Sequence, residues 1–148
     1  IMPKTVKQIS VFLENHPGQL ADLTKLLSDN KIDMRTLSIA ETEDFGIVRM
    51  IVNNPEETMT RLKNAGYVAS ITPVLAVAVR DEPGGLYEIL EIMRKDGVNL
   101  EYAYAFIAKK KIGAYLIFHV SDADTEKAAK VLSKNNIPLI TQEELDLI

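Results

Sequence analysis

The sequence contains no cysteine and no tryptophan, and only two of its 148 residues are histidines. The absence of cysteine excludes disulfides, thiol catalysis and cysteine-based metal sites. His16 and His119 are too few for the histidine-based ligand sets of metal centres. The sequence also lacks a Ser/His/Asp set and a phosphate-binding glycine loop. We therefore expect no metal, no cofactor and no enzyme activity.

Long apolar runs and an excess of positive charge are also lacking. No run approaches the roughly 20 residues that cross a bilayer, and no signal-peptide pattern opens the chain. The net charge of −4 argues against a general nucleic-acid binder, which usually carries a basic surface. We interpret Lys109, Lys110 and Lys111 as a solvated hairpin tip. A cytoplasmic globular protein without nucleic-acid or membrane partners is expected.

One segment of the sequence occurs twice. The stretch VFLENHPGQLADLTKLLSDNKIDM (residues 11–34) corresponds to VAVRDEPGGLYEILEIMRKDGVNL (residues 77–100), 66 positions later. The apolar alternation beyond it also matches, provided that the second copy has a hairpin two residues longer. Two extra residues preserve the faces of the strands, whereas one would invert them. The sequence therefore predicts a duplication, with domains at residues 2–72 and 73–148.

The order of elements is the same in both copies. Residues around Val11 alternate with the period of a strand, and leucines recur at helical spacing after each Pro-Gly turn. Asn30 and Gly97 lie where these helices should end, and Asn54 with Pro55 should begin the second helix of the first copy. Two strands follow the first helix, and a short strand near 67–72 or 136–141 would close each copy. This predicts an α+β fold of two ferredoxin-like βαββαβ units, each a four-stranded antiparallel sheet with helices on one face.

Each half contains a strand, a Pro-Gly turn and a helix that ends before KIDM or GVNL. In these features each half resembles an ACT domain. The resemblance covers nearly the whole chain and implies a tandem regulatory protein. It implies that a small effector, usually a free amino acid, binds where two ACT domains meet, and that no catalytic residues are present. A homodimer is the expected assembly.

The turn itself suits an amino-acid ligand. A helix start presents unpaired N–H groups and a positive dipole end, which attract a carboxylate. Asn15 and Asp81 precede the turns, while Asp33 and Asn99 open the following strand, which we expect beside the first strand. The resemblance implies polar ligand contacts in both places. The candidate ligand-binding residues are Asn15, His16, Pro17, Gly18, Gln19, Leu20, Asp33 and Met34 in the first copy, and Asp81, Glu82, Pro83, Gly84, Gly85, Leu86, Asn99 and Leu100 in the second.

Each of these features also has a purely structural interpretation. The turns could be tight strand-to-helix connections without a ligand, and Asn15 and Asp81 could satisfy local amides, as Asn and Asp often do in turns. His16 is interpreted as an exposed turn residue rather than a base or a metal ligand.

An aromatic strand face suggests an interface. Tyr102, Tyr104 and Phe106 share one face of a strand, and Tyr115 and Ile117 are predicted on the same side, away from the helices. A large apolar surface on the open side of a sheet is usually covered, here by the other half or by a second chain. Amino-acid sensing is the expected function. The alternative is a ligand-independent regulatory subunit that docks on a metabolic enzyme through this face.

Overall fold

The computed structural model describes residues 4–108 and 113–148, so the predicted lysine tip at 109–111 lies outside the described residues. The chain forms two compact units, one comprising Lys7–Thr72 and the other Pro73–Ile148 with the start of the chain up to Val6. In chain order, the elements are β1 (Val6–Glu14), α1 (Gln19–Asp29), β2 (Met34–Glu41), β3 (Phe45–Val52), α2 (Pro55–Asn64), β4 (Val68–Val79), α3 (Gly85–Lys95), β5 (Tyr102–Ile107), β6 (Ala114–His119), one 3-10 turn (Asp122–Asp124), α4 (Thr125–Lys134) and α5 (Gln142–Leu147).

The sheet of the first unit has the strand order β2-β3-β1-β4. Strand β3 pairs antiparallel with β1 on one side and with β2 on the other. The expectation that the strand beginning near Asp33 lies beside β1 is therefore wrong, because β3 separates them. Alternate residues of β1 and β3 pack on both helices, as predicted. This core contains Ile9, Val11, Leu13, Leu23, Leu27, Ile32, Val48, Met50, Val52, Met59 and Leu62.

The second unit repeats this arrangement with one strand fewer. Its strand order is β4-β6-β5, and its core joins residues of β4 and β6 to Ile89, Met93 and Leu132 of the helices. The predicted closing strand near 136–141 is reduced to a single bridge between Val77 and Leu139. The prediction of two four-stranded sheets is therefore wrong for this unit. The closing strand of the first copy and the opening strand of the second are one strand, β4.

The strand registers confirm the predicted relation between the copies. Val11 pairs with Val48 in the first unit, and Val77 pairs with Leu116 in the second. Val11 and Val77, on the first strand of each copy, are 66 residues apart. Val48 and Leu116, on the third strand of each copy, are 68 residues apart. The extra two residues belong to the second hairpin, and they leave the buried face of each strand unchanged.

The helix ends also follow the sequence. Asn54 caps α2 through a side-chain bond from the Glu57 N–H, and Pro55 is the first helical residue. In the described residues, four helices end in a residue with positive φ. The N–H of the residue that follows bonds to the carbonyl five residues before it, which is the pattern of a Schellman motif. These four terminating residues are Lys31, Gly66, Gly97 and Asn136.

The aromatic residues of the second unit lie on the face predicted for them. Tyr104 pairs with Ile117 and Phe106 with Tyr115, opposite the face that packs on the helices. Tyr115 and Ile117 are buried within the chain itself, whereas Tyr102, Tyr104 and Phe106 are half-buried. The centre of this face is therefore already covered, which leaves less of it for a partner.

Candidate functional site

Both Pro-Gly turns place a glycine at the start of a helix in the left-handed conformation. Gly18 has φ 91° and Gly84 has φ 90°, and each is the N-cap of its helix without a side-chain cap bond. A Cβ added at either glycine would meet nothing within 4 Å. The backbone conformation, rather than crowding, therefore accounts for glycine at these two positions.

A pocket of about 220 Å³ lies beside the first turn. Its walls come from the end of β1, the start of α1 and the β2–β3 hairpin. We call it the first pocket, lined by Leu13, Glu14, Asn15, His16, Leu20, Ile39, Glu41, Gly46 and Val48.

A second pocket, of about 440 Å³, lies beside the second turn. The elements that form it are the end of β4, the start of α3, β5 and β6. It is lined by Val79, Arg80, Asp81, Glu82, Pro83, Leu86, Ala105, Ala114 and Leu116.

The two pockets use equivalent positions of the duplicated fold. Eight of the nine positions that line the first pocket correspond to lining positions of the second, with offsets of 66 before the hairpin and 68 after it. The exceptions are Glu41 in the first pocket and Pro83 in the second. Both floors are apolar and both rims are polar, a composition typical of small-molecule sites.

The rim of the first pocket is held by hydrogen bonds. The Asn15 side chain donates from Nδ2 to the Thr42 carbonyl at 3.0 Å, which joins the turn to the β2–β3 hairpin. His16 places Nδ1 3.2 Å from the Pro17 carbonyl and Nε2 2.9 Å from the Glu14 carboxylate. These two acceptors raise the pKa of His16 above its ordinary value, the Pro17 carbonyl having the larger effect. Asn15 therefore donates to carbonyls of the distant hairpin, which differs from the capping of local amides that its structural interpretation predicted.

The rim of the second pocket has the opposite charge at one position. Arg80 replaces Glu14, and its guanidinium bonds Glu88 at 2.8 and 3.1 Å and also bonds Glu82. The arginine is thus held by one carboxylate of α3, that of Glu88, and by one carboxylate of the turn, that of Glu82. The two rims therefore present different polar groups to any molecule in the pockets.

The remaining candidates lie away from the pockets. Asp33 exchanges backbone and side-chain bonds with Asn53, seven residues along β3 from Gly46, which corresponds to roughly 23 Å. Asn99 lies two residues before Glu101, whose N–H bonds the His119 carbonyl at the far end of β6. Met34 and Leu100 pack against the two cores. Among the turn residues, Pro17, Gly18, Gln19, Gly84 and Gly85 do not line the pockets, whereas Asn15, His16, Leu20, Asp81, Glu82, Pro83 and Leu86 do.

The pocket walls contributed by the hairpins were not predicted from the sequence. Ile39 pairs with Val48, and Ala105 pairs with Leu116. All four point to the helix side of their sheets, near the end at which the turn lies. The two-residue offset between the hairpins was the signal that could have located these wall positions, since it defines the register of β3 and β6.

Neither a metal-binding cluster nor a membrane-spanning helix is present in the described residues. Over residues 4–108 and 113–148, no group of three or more His, Asp or Glu side chains could hold a metal ion. No helix in the same ranges is long and apolar enough to cross a membrane.

Comparison with known proteins identifies relatives across the whole chain. The solved structure of protein BT0572 from Bacteroides thetaiotaomicron has a TM-score of 0.88 and 32% identity, with 98% of each chain covered. The regulatory subunit of aspartate kinase from Thermus thermophilus has a TM-score of 0.63 and 16% identity, over 90% of this chain and 95% of that one. At this identity the likeness shows the fold alone.

A shorter match is to an enzyme. The bifunctional chorismate mutase/prephenate dehydratase of Aquifex aeolicus is 39% identical over 61 residues, which are 38% of this chain and 17% of that protein. The match thus spans less than a fifth of the enzyme's length. The family model described as an ACT domain pair matches residues 4–148. The chain therefore belongs to the family of ACT domain pairs, as the resemblance of its two halves predicted.

Proposed function

We propose that this chain is a non-catalytic regulatory protein that binds a free amino acid in the pocket beside each Pro-Gly turn. The observation that carries the proposal is the recurrence of the pocket at eight equivalent positions. The fold alone requires that the core positions of both copies stay apolar. It does not require a polar rim over an apolar floor, so the presence of both in each copy favours a binding site that both copies have kept.

The groups around the first pocket suit both ends of an amino acid. The N–H groups of Leu20 and Ala21 belong to the first turn of α1, where a helix has no internal acceptors for them, so they can bind a carboxylate. Asn15 Oδ1 and the Glu14 and Glu41 carboxylates can accept from an ammonium group. In the second pocket, Asp81 and Glu82 supply the acceptors.

A thermal-shift experiment with each of the twenty free amino acids tests the proposal. Binding stabilises the folded state by about 2.7 kcal/mol at a ligand concentration of 100 Kd, which corresponds to a melting-temperature rise of several degrees. Gly46→Leu and Ala114→Leu place a side chain in equivalent positions of the two pockets. Gly46 has room for a Cβ, since its nearest neighbour would be Ile39 at 3.5 Å.

The double variant should lose the rise entirely, whereas each single variant should retain binding at its open pocket. Isothermal titration checks the stoichiometry of each protein. If no amino acid at about 10 mM stabilises the wild-type protein or releases heat, the proposal is wrong.

A second candidate function is ligand-independent docking on a metabolic enzyme. It is favoured by apolar side chains exposed on the outermost strands, such as Ile107 at 71% and Ile39 at 49% exposure. One structural relative is named as a regulatory subunit of aspartate kinase. Unlike the amino-acid proposal, this candidate predicts enzyme binding that added free amino acids leave unchanged. We also propose a homodimer, which sedimentation equilibrium would test.

A further inference from the structure

The second pocket is larger than the first. The first has a volume of about 220 Å³ and the second of about 440 Å³. Sites for drug-sized ligands usually measure roughly 300–1,000 Å³, so the first pocket suits a smaller molecule. Because eight lining positions correspond, the side chains that occupy them can be compared pair by pair.

Three of the apolar substitutions have small effects that largely cancel. Leu13 of the first pocket corresponds to Val79, which has one side-chain carbon fewer. Gly46 and Val48 correspond to Ala114 and Leu116, each of which has one side-chain carbon more. These changes alone would make the second pocket slightly smaller. They cannot account for its larger volume.

One substitution has the opposite and larger effect. Ile39 on β2 becomes Ala105 on β5, which removes three carbon atoms from the pocket wall. Both residues lie on the outermost strand of their sheet and face the helix side, through pairing with Val48 and Leu116. The side chain at this position therefore stands between the pocket floor and solvent.

The rim also differs in a way that favours a large apolar ligand in the second pocket. Glu41 lines the first pocket, and its equivalent residue, Ile107, is apolar and does not line the second. A bulky apolar group in the first pocket would meet Ile39 and would remove water from the Glu41 carboxylate, which is costly. In the second pocket the same group would find an open wall beside Leu86 and Leu116.

We propose that residues 39 and 105 determine specificity, so that the first pocket takes an amino acid with a small side chain and the second takes one with a large apolar side chain. The inference rests on the proposed amino-acid binding. One chain would then respond to two different amino acids, each read by its own copy of the duplicated fold.

Single-pocket proteins allow each site to be measured separately. Ala114→Leu leaves the first pocket open, and Gly46→Leu leaves the second open. Titration calorimetry with alanine, serine, leucine and phenylalanine should rank the small amino acids first in the former protein and the large ones first in the latter. A methylene group in an apolar pocket changes affinity by roughly 10–200-fold, so the preferences should reach at least about tenfold.

Exchange of the wall residues supplies the decisive variants. Ala105→Ile should weaken leucine and phenylalanine binding in the second pocket at least about tenfold, while alanine and serine change little. Ile39→Ala should admit the large amino acids to the first pocket. The retained binding of small ligands, together with an unchanged melting temperature, demonstrates that each variant is folded.

The outcomes separate this inference from the proposed function. If both pockets rank the four amino acids identically, or if the exchanges leave the ranking unchanged, the inference is wrong although binding stands. If none of the twenty amino acids binds the wild-type protein, the proposed function is wrong and the inference falls with it.

Discussion

Gly85 is packed against the carbonyl oxygen of Arg80 so closely that a Cβ atom at residue 85 would collide with it. Gly85 is the first residue of α3 and is buried. The equivalent residue of the first copy is Gln19, which carries a full side chain as the first residue of α1. The two turns thus share a left-handed glycine but differ at the following residue.

This contact makes residue 85 sensitive to any side chain. Gly85→Ala should lower the free energy of unfolding by about 1–3 kcal/mol, the usual cost of overpacking a well-packed site. Urea denaturation followed by circular dichroism measures it. Gln19→Ala is the matched control and should change stability by less than about 0.5 kcal/mol. Equal effects of the two substitutions would contradict the contact.

Lys31 and Gly97 end their helices at equivalent positions with φ 56° and φ 69°. A left-handed conformation costs a non-glycine residue roughly 1–2 kcal/mol, while glycine loses about 0.5–1 kcal/mol through chain entropy. Lys31→Gly should therefore raise the free energy of unfolding by about 0.5 kcal/mol, and Gly97→Lys should lower it by a similar amount or more. Thermal and urea denaturation measure both. Two changes of the same sign would refute the explanation.

His16 should titrate above the ordinary pKa of histidine, because the Pro17 carbonyl and the Glu14 carboxylate both favour the protonated ring. Both ring nitrogens face acceptors, so only the imidazolium can donate to both. A raised pKa in the folded state means that the associated stabilisation is fully present below about pH 6.5 and is lost as the pH rises through the folded-state pKa.

A proton NMR titration of the His16 ring measures this pKa. Glu14→Gln should lower it, since the carboxylate acceptor is replaced by a neutral amide. Glu43→Gln removes the same charge from the neighbouring hairpin and serves as the control, with a much smaller expected change. A His16 pKa below 6.5 in the wild-type protein would show that the ring does not hold these two bonds.

Much of the fold could be predicted because the relevant signals are local. The alternation around Val11 indicated β1, the Asn54-Pro55 pair indicated the start of α2, and Gly97 indicated the end of α3. Each signal depends on residues within one or two turns of chain. The duplication added long-range information, because the same pairing of strands had to fit the sequences of both copies.

The candidate site was predicted only in part. The turn residues Asn15, His16 and Asp81 line the pockets, whereas Asp33 and Asn99 lie at the opposite end of their units. The error came from the direction of the chain. Helix α1 returns the chain to the start of β1, so β2 runs parallel to β1 and begins at the end of the sheet opposite the turn.

The sequence by itself determined the two-copy plan, the offsets between the copies and the ends of the helices, because period, turn chemistry and capping act over a few residues. The tertiary structure alone decided the strand order, the reduction of the last strand to one bridge at Leu139, and the pocket walls at Ile39 and Ala105. These depend on which apolar faces are buried together, a choice made between segments far apart in the chain. The walls of both pockets therefore include side chains that lie more than twenty residues from the turn that marks the site.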